Sequence, residues 1–337
     1  MPSIKQIPLE IVTLAKDLGI RTKTDHFAAI VNFCEKKVAI MLSEMGECES
    51  LTDFLELISN KANTKFIEIH SIDNLRNTAN EYIQRREKAF ANLENELSGE
   101  VYGITYRLQN PEDWENQHVS IIDCRDYSKA ARSYFTKWHE IAHLLTLTDQ
   151  TRLIFRRTHA SLNGGIPEER LMDVIAGKLG FYGGIFHKHI NNEISFEEIE
   201  RLRLSLCNEA SKQASLINFV KNWSLPCIHL TIDMGLNKNE EAGLNQKTFD
   251  FVDAPEMTLR AIRVEPNDVA RKEKFLLFNN MRVPDNSVIQ NVYKGDVEYA
   301  EAIEDLFWWN EHRGFPIKVK VRKIGDSVDA LIIPYST

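Results

Sequence analysis

His139-Glu140-Ile141-Ala142-His143 sets two imidazoles four residues apart. On an α-helix that spacing puts both on one face, so both can reach a single metal ion. Glu140 is turned about 100° from His139, which can aim its carboxylate at a water on that metal. Zinc with three protein ligands lowers the pKa of bound water to about 7, and a neighbouring carboxylate can take its proton. The chemistry these residues spell is metal-assisted hydrolysis with Glu140 as general base.

Such a site needs a third protein ligand. The next helical stretch supplies Glu169-Arg-Leu-Met-Asp173, where Glu169 and Asp173 again stand four residues apart. Glu169 is expected on the metal, with Asp173 accepting the free N–H of a ligand histidine and fixing its tautomer. Glu168 is the rival ligand, but its partner one turn on is Met172, which cannot serve that purpose. Two His and one Glu leave a position for water, and one Zn2+ per chain is expected. Blander readings stand beside these. The HExxH could lie on a solvated face, Glu169 could offset a helix dipole, and Asp173 could be an exposed acid.

A donor for the oxyanion of a tetrahedral intermediate is often a Tyr or His in such sites. Tyr182, His187 and His189 follow the glutamate helix and could reach back, or could be turn and surface positions. Arg152, Arg156 and Arg157 could meet an acidic substrate or form a solvated face.

These residues need elements to position them. Helix-like spacing appears at Ile11–Leu18, stopped by Gly19, then at Phe27–Met41 and Leu51–Ile58. A short strand follows from Thr64, then a long helix over Leu75–Leu97, capped by Asp73 and closed by Ser98-Gly99. Val101–Leu108 and His118–Cys124 read as strands, and Ser128–Leu147 as one helix carrying the HExxH. An Arg-rich linker ending Asn163-Gly164-Gly165 leads to a helix opened by Pro167, with Leu171, Val174, Ile175 and Leu179 as its buried stripe.

Ser195–Trp223 reads as two helices, ended by Ser224-Leu225-Pro226, and Met234–Phe249 as an exposed linker. Beyond it, strands are expected at Thr258–Val264, Lys274–Phe278 and Ile317–Ile324, with a helix near Val297–Trp309. In that helix Phe307-Trp308-Trp309 is expected to divide between core and an interface or ligand pocket.

The 337 residues exceed one typical domain, and 43% apolar with 27% charged residues describes a chain able to bury a core. The net charge is −8, and the excess acid lies within residues 1–257. A protein that coats nucleic acid would show a basic face, so DNA binding is disfavoured, including by the weakly basic Ser211–Trp223 helix. No apolar run approaches the ~18 residues that span a bilayer. The five cysteines are odd in number and scattered, with no CxxC pair, which excludes a thiolate zinc site and a disulfide framework. A cytoplasmic protein with reduced thiols and no membrane association is expected.

Arg132-Ser-Tyr-Phe-Thr-Lys-Trp-His-Glu-Ile-Ala-His143, followed by Glu169-Arg-Leu-Met-Asp-Val-Ile-Ala176, resembles the ImmA/IrrE family of metallopeptidases. The resemblance covers about residues 64–182 and departs at Trp138, where a small residue is usual, and at Asp173, where many members have Asn. It implies an α+β chain with a zincin-like peptidase domain over 64–190, in which a small twisted sheet lies beside an active-site helix and a glutamate helix. Before it comes a helical lead-in, 1–63. After it come a helix-turn-helix-like unit, 191–233, and a mixed α/β, GAF-like domain, 246–337, in the sensor position, with a small-molecule or protein ligand. It also implies the reaction: zinc-dependent cleavage of a cytoplasmic helix-turn-helix repressor in a regulatory or stress response. Two alternatives remain: a docking protein whose zinc is structural or vestigial, and a zinc hydrolase of small amides.

Overall fold

The computed structural model describes residues 7–97, 99–112, 115–148, 154–158, 166–190, 193–237, 240, 256–295, 297–309 and 314–335, with Met45 and 154–158 as backbone course only. The chain is mixed α+β and divides into two compact units: residues 1–189 with 202–214, and residues 190–201 with 215–337.

In the first unit, α1 (Leu9–Asp17) ends at Gly19, whose φ of +72° suits a residue without Cβ. Helix α2 (His26–Met45) is capped by Asp25, whose carboxylate accepts from Ala28 N at 2.9 Å. Helix α3 (Leu51–Lys61) opens with a reciprocal Ser50–Asp53 capping box, bonds of 3.0 and 3.1 Å. Strand β1 (Thr64–Ile69) leads into α4 (Ile72–Gln84).

Helix α4 differs from expectation at both ends. Its cap is Ser71, not Asp73, and it stops at Gln84 instead of running to Leu97. Arg86 takes φ +67°, and a turn of 3-10 helix precedes the short α5 (Leu93–Glu96). The break lets the buried Glu87 turn back and accept backbone N–H bonds from Gln109 and Asn110 at 2.9–3.0 Å. Gly99, φ +63°, closes the segment; Ser98 is outside the described residues.

Strands β2 (Val101–Arg107) and β3 (His118–Asp123) are antiparallel, and β1 lies parallel on the far side of β3. The stretch expected as an Arg-rich linker holds a strand, β4 (Ile154–Thr158), paired with β2. The sheet order among the described residues is β1-β3-β2-β4. Arg156 and Arg157 sit on that edge strand; Arg152 and residues 163–165 fall outside the described residues.

Strand periodicity sorts the two faces. Ile104, Tyr106, Val119 and Ile121 join Leu75, Tyr82, Phe90 and Leu93 in a core under α4 and α5. Gly103, Thr105 and Ser120 point the other way, toward α7 (Ser133–Leu145). The single helix expected over Ser128–Leu147 is two pieces, because Asp126 caps a separate turn, α6 (Tyr127–Ala130), before α7 begins.

Helix α8 (Pro167–Gly180) has Pro at its first position, as expected. Its buried face is Glu169, Leu171, Met172, Ile175, Ala176 and Leu179; Val174, expected in that stripe, is 42% exposed. Trp138 on α7 is fully buried, because Gly180 leaves the space: a Cβ there would lie 2.9 Å from Trp138 Cδ1. Tyr134, one turn earlier, donates to Gly180 O at 2.6 Å. After the short α9 (Gly183–Phe186), α10 (Phe196–Leu206) and α11 (Lys212–Asn222) follow.

Residues 191–233 are divided between the units. Within the first, Glu209 pairs with the nearly buried Lys137 at 2.7 Å, and Thr52 donates to Leu206 O at 3.4 Å. Helix α11 buries Leu216, Phe219 and Val220, the face an amphipathic core helix uses.

The second unit is built on an antiparallel sheet of order β7-β6-β5-β10-β9-β8 among the described residues. The strands are β5 (Ile228–Gly235), β6 (Thr258–Pro266), β7 (Met281–Arg282), β8 (Tyr299–Asp305), β9 (Pro316–Ile324) and β10 (Ser327–Pro334), with α12 (Asp268–Lys272) and α13 (Val288–Lys294) in the connections. Strand β5 occupies residues expected to end a helical unit and begin a linker; Ile228, Leu230 and Ile232 alternate into the sheet's core. Residues 238–239 and 241–249 of that linker, and 250–255 after it, are outside the described residues.

Two further expectations fail here. Lys274–Phe278 is no strand: Lys274 takes φ +58°, and Phe275 and Leu277 are core side chains of a loop. The helix expected near Val297–Trp309 is the edge strand β8, along which burial alternates with period two. Of the aromatic triplet after it, Trp309 is buried and donates to Glu304 at 3.2 Å, whereas Phe307 and Trp308 are about half exposed. None of the five cysteines is in a disulfide. No helix among the described residues is long and apolar enough to cross a membrane.

Candidate metal centre

Helices α7 and α8 pack so that the first turn of α8 faces the middle of α7. That brings His139, His143 and Glu169 together, all buried, with potential ligand atoms within 4.8 Å of one another. His139 Nε2 lies 3.2 Å from Glu169 Oε2, and His143 Nε2 lies 3.4 Å from Glu169 Oε1. The two rings are 5.0 Å apart and tilted by 65°, so they converge instead of stacking.

Asp173 Oδ1 is 2.9 Å from His139 Nδ1. A carboxylate there selects the tautomer with the proton on Nδ1, leaving the Nε2 lone pair directed at Glu169. Lone pairs facing each other across 3.2 Å repel unless a proton or a cation lies between them. Two ligands on a tetrahedral dication with bonds of about 2.0–2.1 Å are separated by about 3.3 Å, which the 3.2 and 3.4 Å contacts match. The donor set therefore fits a metal ion.

Glu168, the rival ligand, points elsewhere: its Oε1 is 3.9 Å from His143 Nδ1. It approaches the second histidine from the side on which Asp173 meets the first.

Glu140 is fully buried. Burial raises its carboxyl above the ordinary value, and the two histidines and a hydrogen bond from Thr105 pull it partly back. Burial would also raise Glu169, but a proton or positive charge shared with the two histidines across those contacts outweighs this and holds it well below the usual carboxylate range. The two carboxylates of this cluster thus shift in opposite directions from their reference value.

One oxygen of Glu140, Oε2, accepts from Thr105 Oγ1 at 2.7 Å; the other, Oε1, is buried with no hydrogen-bond partner among the described residues. Gly103 makes room for it, since a Cβ at that position would come within 3.1 Å of Oε1 and 2.7 Å of Thr136 Cγ2.

Tyr182 and His187 are not part of the ligand group. Tyr182 stacks on Phe54, ring centroids 5.1 Å apart, and His187 is exposed against Phe186. His189 lies in the same 3-10 turn.

Sequence reasoning missed Thr105 and Ser120. The available signal was a hydroxyl residue in the middle of each of two strands rich in Ile, Tyr and Val, with both faces buried. Polar side chains on such a face need a polar partner across it. No protein-family model matches the chain, and no curated protein matches it.

Proposed function

We propose that the chain is a zinc-dependent metalloendopeptidase with a zincin-like first unit. The observation that carries this reading is the buried convergence of His139 Nε2, His143 Nε2 and Glu169, beside a carboxylate whose Oε1 has no hydrogen-bond partner among the described residues. His139, His143 and Glu169 would hold the zinc. When bound, it supplies Lewis acidity that polarises a scissile carbonyl and acidifies a water molecule.

The protein residues do the rest. Asp173 keeps the His139 proton on Nδ1 and so keeps Nε2 available for the metal. Glu140 takes a proton from the attacking water as that oxygen adds to the carbonyl carbon. It returns the proton to the amide nitrogen as the C–N bond breaks, leaving a carboxyl and an amine. A buried carboxyl with a raised pKa suits both halves of that transfer. Strand β4, at the edge of the sheet among the described residues and in contact with α7, would offer backbone donors and acceptors to an extended peptide.

The substrate is proposed from the resemblance of Arg132–His143 and Glu169–Ala176 to the ImmA/IrrE family: a cytoplasmic helix-turn-helix repressor, cleaved in a regulatory or stress response. The test mixes zinc-loaded full-length chain with purified helix-turn-helix repressors and follows fragments by mass spectrometry. Wild type should cut one of them, and Glu140→Gln should retain its zinc and cut none. A repressor that co-purifies uncut with a zinc-loaded wild type would replace this reading with a docking protein.

A further inference from the structure

Glu140 is not held by Thr105 alone. Thr105 Oγ1 lies 2.6 Å from Ser120 Oγ, which lies 3.1 Å from Thr64 Oγ1. The three hydroxyls come from three adjacent strands, β2, β3 and β1; the step from Thr64 to Ser120 is diagonal, since Ser120 stands opposite Phe66 in the register. Thr105 and Ser120 are register partners. Thr64 is 1% exposed, and Ser120, Thr105 and Glu140 are 0% exposed.

The direction of every bond is fixed by proton count. An ionised carboxylate only accepts, and a hydroxyl has one proton to donate. Thr105 gives its proton to Glu140 Oε2, so it must accept from Ser120. Ser120 has then donated, so it accepts from Thr64. Three donors point one way and end on a single carboxylate oxygen, each polarising the next in a dry interior.

We infer that the chain Thr64–Ser120–Thr105 positions Glu140 for proton transfer, clamping Oε2 and leaving Oε1 as the oxygen that takes the proton. This rests on the metallopeptidase reading for its function. The arrangement explains why the two oxygens of one buried carboxylate differ so sharply: one takes a 2.7 Å hydrogen bond, and the other lies beside the bare Cα of Gly103 with no partner among the described residues. Thr105 and Ser120 are positioning residues; they act through Glu140.

The test compares zinc-loaded full-length wild type, Thr105→Val, Thr105→Ser and Ser120→Ala. Isotope-edited infrared spectra, with Glu140→Gln subtracted, isolate the Glu140 carboxylate bands. Hydrolysis of a quenched-fluorescent peptide pool gives the rate. Thr105→Val, which keeps the shape and loses the donor, should alter the splitting of the two carboxylate stretches. It should also slow hydrolysis about a hundredfold with zinc retained, the scale expected when a reacting group loses its alignment. Thr105→Ser should restore both, and Ser120→Ala should fall between.

Wild-type splitting in Thr105→Val, or shifted bands with an undiminished rate, overturns the inference. Should Thr105→Val fail to fold, wild-type bands and rate in Ser120→Ala overturn it instead. A wild type that binds no zinc and cuts no peptide removes the peptidase reading, and the infrared comparison then still decides whether the hydroxyl chain holds Glu140.

Discussion

His139 Nδ1 and Asp173 Oδ1 sit 2.9 Å apart across the α7–α8 contact, so one helix orients the imidazole that the other presents to Glu169. Removing that acceptor should leave all three ligands in place and loosen the ring. Asp173→Ala is expected to weaken zinc binding about 10–100-fold, measured by competition with a chromophoric chelator, and Asp173→Asn, which retains an oxygen acceptor, to weaken it less. An affinity unchanged in Asp173→Ala would reduce this contact to an ordinary ion pair.

Glu168 and Glu169 are neighbours with different assignments. Glu169 faces both Nε2 atoms, whereas Glu168 approaches only His143 Nδ1 at 3.9 Å. After zinc loading and desalting, metal analysis should find Glu169→Ala depleted and Glu168→Ala near wild type. The reverse result would exchange their roles.

Gly103 has no space for a side chain. Gly103→Ala puts a methyl group 2.7 Å from Thr136 Cγ2 and 3.1 Å from Glu140 Oε1, so backbone or helix must move. A loss of about 1–3 kcal/mol in denaturant unfolding is expected, with zinc retained and hydrolysis reduced. Full stability and full rate together would mean that the sheet and α7 are less closely apposed than described.

Asp123 provides a pH signature away from the candidate metal centre. Burial alone would raise its pKa, but hydrogen bonds from Arg125 and Lys129 outweigh this and lower it. The unfolded chain, with an aspartate pKa of about 3.9, then takes up the proton first. The stabilisation is complete above that value and is lost as pH falls below it toward the folded-state value. Melting temperatures of wild type and Asp123→Asn should therefore differ at neutral pH and converge in acid. A constant gap down to the acid limit would show that the ion pairs are not its source.

The candidate ligand group was legible in the sequence because its spacing is a helix property. His139 and His143, like Glu169 and Asp173, share a face whatever surrounds them, and Pro167 marks where their second helix starts. What escaped depends on other elements. Tyr299-Ala-Glu-Ala-Ile-Glu-Asp305 has the Ala and Glu content of a helix, yet it forms edge strand β8 because β9 provides a ladder for it. Strand β4 was hidden by its arginines, and its place beside β2 is a pairing at long range. The Arg86 break in the helix expected to reach Leu97 follows from what Glu87 finds in a distant loop. Thr105 and Ser120 read as ordinary strand residues until the helix that covers them is known.

Trp138 against Gly180 has a consequence for the other end of α8. Sliding a helix by one residue shifts it about 1.5 Å and rotates it about 100°, which would present Glu168 or Arg170 to the histidines in place of Glu169. The indole lodged at Gly180, with the Tyr134 hydroxyl on the same residue's carbonyl, works as an index pin that stops such slippage three turns from where its effect is felt. Positions 138 and 180 are in this sense a lock and its notch: a smaller side chain at 138 would remove the need for a bare 180.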